Sequence, residues 1–253
     1  MELPSSKTKA ERVNPKSMVI YSQPKRGKTT ILSELDNCLI IDLEDGAQFV
    51  DALKYNVLGE ARTQGVAPIV ILQNLIEAIS LANKEKGGYV YQFIALDTVT
   101  ALEDIVLVLA NKMYQDTPIG RNWVGNDVTT LPNGAGYRYT RMALSIVLNK
   151  IEGLCDTLII AGHVKDKLVE MEGKEMQERG LDLTGKMASI VCSKVDAIGY
   201  LYRKDNQTVI NFAPTPSLTC GSRSEHLKDK EIVVAESDES GKITVDWSKI
   251  FIQ

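Results

Sequence analysis

The apolar run Ser17-Met18-Val19-Ile20-Tyr21 stops at Ser22-Gln23-Pro24-Lys25-Arg26-Gly27 and gives way to Lys28-Thr29-Thr30, which opens a helix-forming stretch. That order reads as buried strand, tight loop, helix. The loop fits the phosphate-binding pattern GxxxxGK[ST] at every position but the first, where Ser22 stands for glycine. A chain built around this unit is committed to an α/β fold, with the loop at the carboxyl edge of a sheet. The residue types have chemical reasons. Backbone N–H groups of the segment Ser22, Gln23, Pro24, Lys25, Arg26, Gly27, Lys28, Thr29, Thr30 face phosphate oxygens, proline excepted. Gly27 would permit close approach, Lys28 would neutralise β- and γ-phosphates, and Thr29 would offer a hydroxyl to Mg²⁺. The pattern's first position often takes backbone angles that favour glycine, so Ser22 is a departure.

The chain continues in the same alternation. Cys38–Asp42 and Tyr91–Leu96 read as buried strands, and Ala67–Ile71 as another strand before a helix over 74–86. Val99–Tyr114 reads as one helix, with Leu102, Ile105, Val106 and Leu109 on a shared face. Tyr137–Leu154 reads as a second, with Met142, Ile146, Ile151 and Leu154 near one stripe. Residues 115–136 and 164–186 read as long loops, the latter with a hairpin as one option. Thr157–Ala161, Val195–Tyr202, Thr208–Phe212, Glu231–Ala235 and Ile243–Asp246 read as strands, with turn chemistry at Arg203–Gln207. The expected architecture is a mostly parallel central sheet with helices on both faces and an antiparallel C-terminal edge. Residues 1–16 form a polar arm, and 226–253 an acidic, strand-rich extension.

A phosphate loop needs a carboxylate on the metal side. Asp97 ends the run Phe93-Ile94-Ala95-Leu96 and would hold Mg²⁺ with Thr29; Asp97 or Thr98 equally suits the cap of the next helix. Hydrolysis needs a group to orient water, and Glu44, just past the second strand, is the candidate base, with an acidic turn as the alternative. His163 follows the apolar strand Thr157–Ala161 and is a candidate γ-phosphate sensor or a structural histidine.

Composition narrows the partners. The 253 residues hold 29 Lys+Arg against 33 Asp+Glu, a net charge of −4, which excludes nucleic-acid adhesion by bulk charge and leaves room for a local basic groove. Cys38, Cys155, Cys192 and Cys220 form no CxxC pair and read as free thiols in a reducing compartment. The N-terminus lacks an apolar core for a signal peptide, and no apolar run approaches the ~20 residues of a membrane span. The expectation is a cytoplasmic protein with no membrane partner.

In this order, the phosphate loop, Glu44 after the second strand, Asp97 after the third and His163 after the next resemble the RecA-like recombinase core. Gly134-Ala135-Gly136-Tyr137, Gly162–Lys167, Asp182–Ala188, Asp196–Leu201 and Gly221-Ser222-Arg223 resemble the phage RecA-like single-strand annealing ATPases. The resemblance covers about residues 17–225. It implies a RecA-like P-loop NTPase that uses ATP and Mg²⁺, assembles as a homo-oligomeric ring or filament and binds single-stranded DNA, with a single-strand binding protein as a further partner. A bacterial host's cytoplasm is implied if the chain is phage-encoded. It places DNA-facing loops near 115–136 and 164–189, with Arg121 and Trp123 in the first and Lys165, Lys167, Arg179 and Lys186 in the second. Glu170, Glu172, Glu175 and Glu178 dilute the second loop's charge. Cations would track phosphates and the indole would stack on a base; solvated loops are the alternative. Arg223 resembles a basic residue supplied to the next subunit's site, with Arg203 and Lys204 as alternatives. A structural annealing module, in which ATP only stabilises the oligomer, and a RecA-core helicase or helicase loader remain open readings.

Overall fold

The computed structural model describes residues 3, 5–171 and 174–252; Met1, Glu2, Pro4, Glu172, Gly173 and Gln253 lie outside the described residues. The chain runs β1 (Ser17–Ser22), α1 (Lys28–Ser33), β2 (Cys38–Asp42), β3 (Leu53–Asn56), α2 (Val57–Gln64), α3 (Pro68–Lys86) and β4 (Phe93–Asp97). It continues with α4 (Val99–Ile105), α5 (Leu107–Gln115), α6 (Ala135–Glu152), β5 (Thr157–Met171), β6 (Lys174–Leu181), α7 (Met187–Lys194) and β7 (Ala197–Lys204). It closes with β8 (Gln207–Asn211), β9 (Gly221–Ser222), β10 (Glu231–Ser237) and β11 (Ile243–Val245).

The strand order is β11-β10-β8-β7-β1-β5-β4-β2-β3, with β6 beside β5 and β9 beside β7. Strands β7, β1, β5, β4, β2 and β3 pair in parallel, while β7–β8, β8–β10 and β10–β11 pair antiparallel. The expected parallel sheet with an antiparallel C-terminal edge is therefore present. All six residues of β1 are buried, which requires cover on both faces. Val19 and Tyr21 enter the cluster built with α2 to α7, whereas Met18 and Ile20 enter a second cluster with Ile31 and Leu32 of α1. Leu227, Trp247 and Ile250 join that second cluster, and the Trp247 indole donates to the Ile31 carbonyl at 2.8 Å. The C-terminal segment thus packs against the helix that follows the phosphate loop. The described residues of the arm are exposed through Val13, and Arg12 pairs with Asp156 at 3.3 Å.

Several local expectations are corrected. Ala67–Ile71 is not a strand: Pro68 sits in the first turn of α3, and Ile69, Leu72, Ile76 and Ile79 make one buried helical face. The predicted helix over 99–114 breaks at Val106 into α4 and α5. In α6 the buried side is Ala143, Leu144, Val147, Leu148 and Ile151, while Met142 and Ile146 are about two-fifths exposed (39% and 40%). The 115–136 stretch contains short 3-10 turns at Val128–Thr130 and Pro132–Gly134. The 164–186 stretch is chiefly an antiparallel hairpin of β5 and β6, followed by α7. Among the described residues no single helix is long and apolar enough to cross a membrane.

Candidate functional site

Register brings the polar strand ends together. Asp42 lies opposite Asp97 across β2–β4, Asp97 opposite Ala161 across β4–β5, and Ser22 opposite His163 across β1–β5. These carboxyl ends open onto a cleft of about 460 Å³, within the size range of ligand sites. Lys28, Thr29, Glu44, Asp97 and His163 all line it.

The loop's strain falls elsewhere than at its first position. Ser22 is the buried last residue of β1, while Lys25 (φ 61°) and Gly27 (φ 93°) carry the left-handed conformations. Glycine is therefore needed at 27 and not at 22. The Ser22 hydroxyl donates to the Gln23 carbonyl at 2.8 Å and accepts from Lys28 Nζ at 3.1 Å. Lys28 is buried, and burial pushes its ammonium below the ordinary lysine range against the attraction of Asp97 and Glu44.

Thr29 Oγ1 donates to Asp97 Oδ2 at 2.6 Å. Burial drives the Asp97 carboxyl above its ordinary range, against the hydrogen bond from Thr29 and the charge of Lys28. A buried ammonium and a buried carboxylate are thus both short of solvation. A ligand carrying polyphosphate and a divalent cation supplies each with the opposite charge. The donor set fits Mg²⁺, which takes few protein oxygens and keeps waters and phosphate oxygens. Thr29 and Asp97 would hold it. Among the described residues no cluster of three or more His, Cys, Asp or Glu forms an all-protein metal cage.

Asp97 also yields a stability prediction. Its folded value is raised, so the unfolded chain loses this proton first as pH rises. The ionised carboxylate lowers stability at neutral pH, and the penalty vanishes as pH falls below the unfolded value of about 3.9. We expect Asp97→Asn to melt no lower than wild type without ligand at pH 7, yet to lose Mg²⁺-dependent turnover by about 10²-fold or more. Thermal melts and steady-state kinetics check the two halves.

Asp42, buried at the end of β2, accepts backbone N–H bonds from Glu44 (3.0 Å), Gly46 (3.1 Å) and Ala47 (2.9 Å). This turn aims Glu44 into the cleft. Thr98 Oγ1 donates to Glu44 Oε1 at 2.5 Å and also accepts from Ala101 N, so Thr98 both caps α4 and holds Glu44. His163 Nε2 lies 3.1 and 3.2 Å from the two Glu44 oxygens, while its buried Nδ1 lacks a partner among the described residues. Burial opposes the charged form of Glu44, but the bonds from His163 and Thr98 outweigh it and hold the carboxyl below its ordinary range.

Pro24, Lys25, Gly27 and Thr30 of the loop also line the cleft, whereas Arg223 and the proposed DNA-facing residues lie outside it. Arg223 follows β9 near the opposite end of β7, where it pairs with Asp196 at 3.1 Å and donates to the Ser193 carbonyl. Lys165 pairs with Asp182 at 3.0 Å, and Arg179 with Asp166 at 3.0 Å while lying over the Tyr200 ring. Lys167 lies across from Glu178 in the hairpin. Lys186 and Arg121 are exposed, and Trp123 is half-buried, edge-on to Tyr114.

Three features of the cleft were not legible as such. Asp42 acts through hydrogen bonds within its own turn, and the grip of Thr98 on Glu44 depends on β2 and β4 being neighbours. Phe49 is 93% exposed on the rim, an aromatic face open to a base, and Asp45 ties its segment to α2 through Asn56 and Arg62. Arg203, at the end of β7, enters the cleft from the side away from β5.

A family model described as AAA domain (AAA_24) matches residues 14–224. Among solved structures, the chain is similar to the RadB recombinase, at 13% identity and TM-score 0.40, over 91% of each chain. It is also similar to a KaiC-like protein of the hyperthermophilic archaeon Pyrococcus horikoshii OT3, at 12% identity and TM-score 0.41, over 91% of this chain and 88% of that one. No curated protein sequence matches. With β5 between the strand that precedes the phosphate loop and the strand that ends in Asp97, the architecture is that of the RecA-like P-loop fold. With the matched segment spanning most of its length, the chain belongs to the AAA_24 family of AAA domains.

Proposed function

We propose that this chain binds and hydrolyses ATP with Mg²⁺ and uses that cycle to bind single-stranded DNA and promote annealing as a homo-oligomer. One observation carries the reading: β5 runs from the cleft, where His163 touches Glu44, into the hairpin that holds Lys165 and Lys167. A single strand thus joins the nucleotide cleft to the basic segment.

The chemistry is phosphoryl transfer to water. Water bonds to the γ-phosphorus, the bond to the β-phosphate oxygen breaks, and that oxygen keeps the electron pair. Glu44 orients the water and accepts its proton. Lys28 holds the β- and γ-oxygens, and His163 reports their presence through its bond to Glu44. Mg²⁺, when bound, neutralises charge on the phosphates.

Lys165, Lys167, Arg179, Lys186, Arg121 and Trp123 form the proposed DNA-facing set. The ion pairs of Lys165 and Arg179 are half-exposed, and such pairs contribute only about 0–1 kcal/mol, so phosphates compete for these cations. Arg223, 64% exposed at the opposite end of the sheet, faces the next cleft in a head-to-tail assembly. A single-strand binding protein is the proposed further partner, and the cytoplasm of a bacterial host the proposed setting.

A salt titration tests the DNA reading. We expect single strands to bind more tightly than duplex, tighter still with ATP and Mg²⁺, and with a logarithmic salt slope that deepens in that state. Equal weak binding in every condition contradicts it.

A further inference from the structure

β7 pairs in parallel with β1, Met18 opposite Ala197 and Tyr21 opposite Tyr200. It then continues past the point where β1 turns into the phosphate loop, because its last residues keep pairing with β8, Arg203 opposite Thr208. Arg203 is carried over the loop in this way. A methyl group placed on Gly27 would lie 3.8 Å from Arg203 Nη2, and Arg203 lines the same cleft as Lys28, Glu44 and Asp97. Among the described residues it forms no ion pair, in contrast to Arg62, Arg179 and Arg223. Its strand borders β1 on one side, whereas Glu44 and His163 stand on the strands of the other side.

We propose that Arg203 is a further catalytic residue that acts within its own subunit, on the leaving-group side of the phosphate chain. The inference rests on the nucleotide reading of the cleft. In-line displacement places the entering and leaving oxygens on opposite sides of the γ-phosphorus. Glu44 holds the entering water on one wall. The breaking bond therefore points toward the other wall, where the electron pair collects on the β-phosphate oxygen. A guanidinium there, with two parallel donors, meets that charge in a fixed geometry and keeps meeting it in the diphosphate product. Arg203 is exposed, and its guanidinium already lies beside the loop before any ligand arrives.

The test uses the full chain with Mg²⁺. Arg203→Ala is expected to lower kcat about 10²-fold and diphosphate affinity about tenfold, with a smaller change in KM for the triphosphate, and Arg203→Lys to recover part of kcat. Mixing Arg203→Ala with Lys28→Ala subunits is expected to restore no turnover, since each subunit carries one broken site of its own. Restored turnover on mixing overturns the assignment, because it means that Arg203 serves a neighbour. So does an Arg203→Ala variant within twofold of wild type in kcat and diphosphate affinity while Lys28→Ala is inactive. Turnover that survives Lys28→Ala overturns instead the reading of the cleft, and this inference with it.

Discussion

Lys28→Ala is expected to weaken nucleotide binding severely and to leave the fold in place. The two outcomes follow from one fact, the burial of an ammonium beside the Ser22 hydroxyl. In the ligand-free chain that burial costs solvation, which is why the ammonium is pushed below its ordinary range. Removing it relieves the cost, so the melting temperature moves little. In the complex the same ammonium meets phosphate oxygens where water is scarce. Truncating one member of such a charge pair costs about 2–5 kcal/mol, or about 30- to 5,000-fold in affinity. Calorimetric titration with a non-hydrolysable triphosphate, beside a thermal melt, checks both. A fall of many degrees in the melt would show that Lys28 is a structural residue.

Glu44→Gln is expected to separate binding from turnover. The amide keeps the shape and a hydrogen bond to Thr98, so triphosphate affinity stays within a few-fold. Turnover falls by about 10²–10⁴-fold, the usual contribution of a positioned base. Glu44 is held below the ordinary carboxylate range, so it is ionised throughout the neutral region. Its contribution to stability is fully present above the unfolded value of about 4.3 and is lost as pH falls through the lower folded value. Single-strand annealing is the second readout. If annealing requires hydrolysis, it stops with turnover. If it persists at full rate in this variant, the nucleotide is a structural ligand of the oligomer.

The parts of this molecule that were legible in its sequence are those where burial and punctuation coincide. β1, β2 and β4 are fully buried, so each carries a run of apolar residues and ends in a polar group at the sheet edge. Lys28, Thr29, Glu44, Asp97 and His163 follow from that pattern. β3 was not legible because Leu-Lys-Tyr-Asn is an edge strand of four residues, too short for its alternation to register and without a buried face. Ala67–Ile71 shows the opposite problem: a short β-branched run has no period of its own, and only Pro68 marks the helix start. In the β5–β6 hairpin, charged residues such as Lys165, Asp166, Lys167, Glu178 and Arg179 interrupt the apolar run of β5, and the Asp166–Arg179 pair shows only once the strands are paired. Arg203 was weighed beside Arg223 as a basic residue for a neighbour. Its place over its own phosphate loop depends on the pairing of β7 with β1, a contact between segments nearly 180 residues apart in sequence.

Steady-state ATP turnover by the full chain with Mg²⁺, with and without single-stranded DNA, tests the account at its centre. It predicts turnover that depends on Mg²⁺, rises when single strands are added and disappears in Lys28→Ala. Turnover no higher than that of Lys28→Ala in either condition would contradict it.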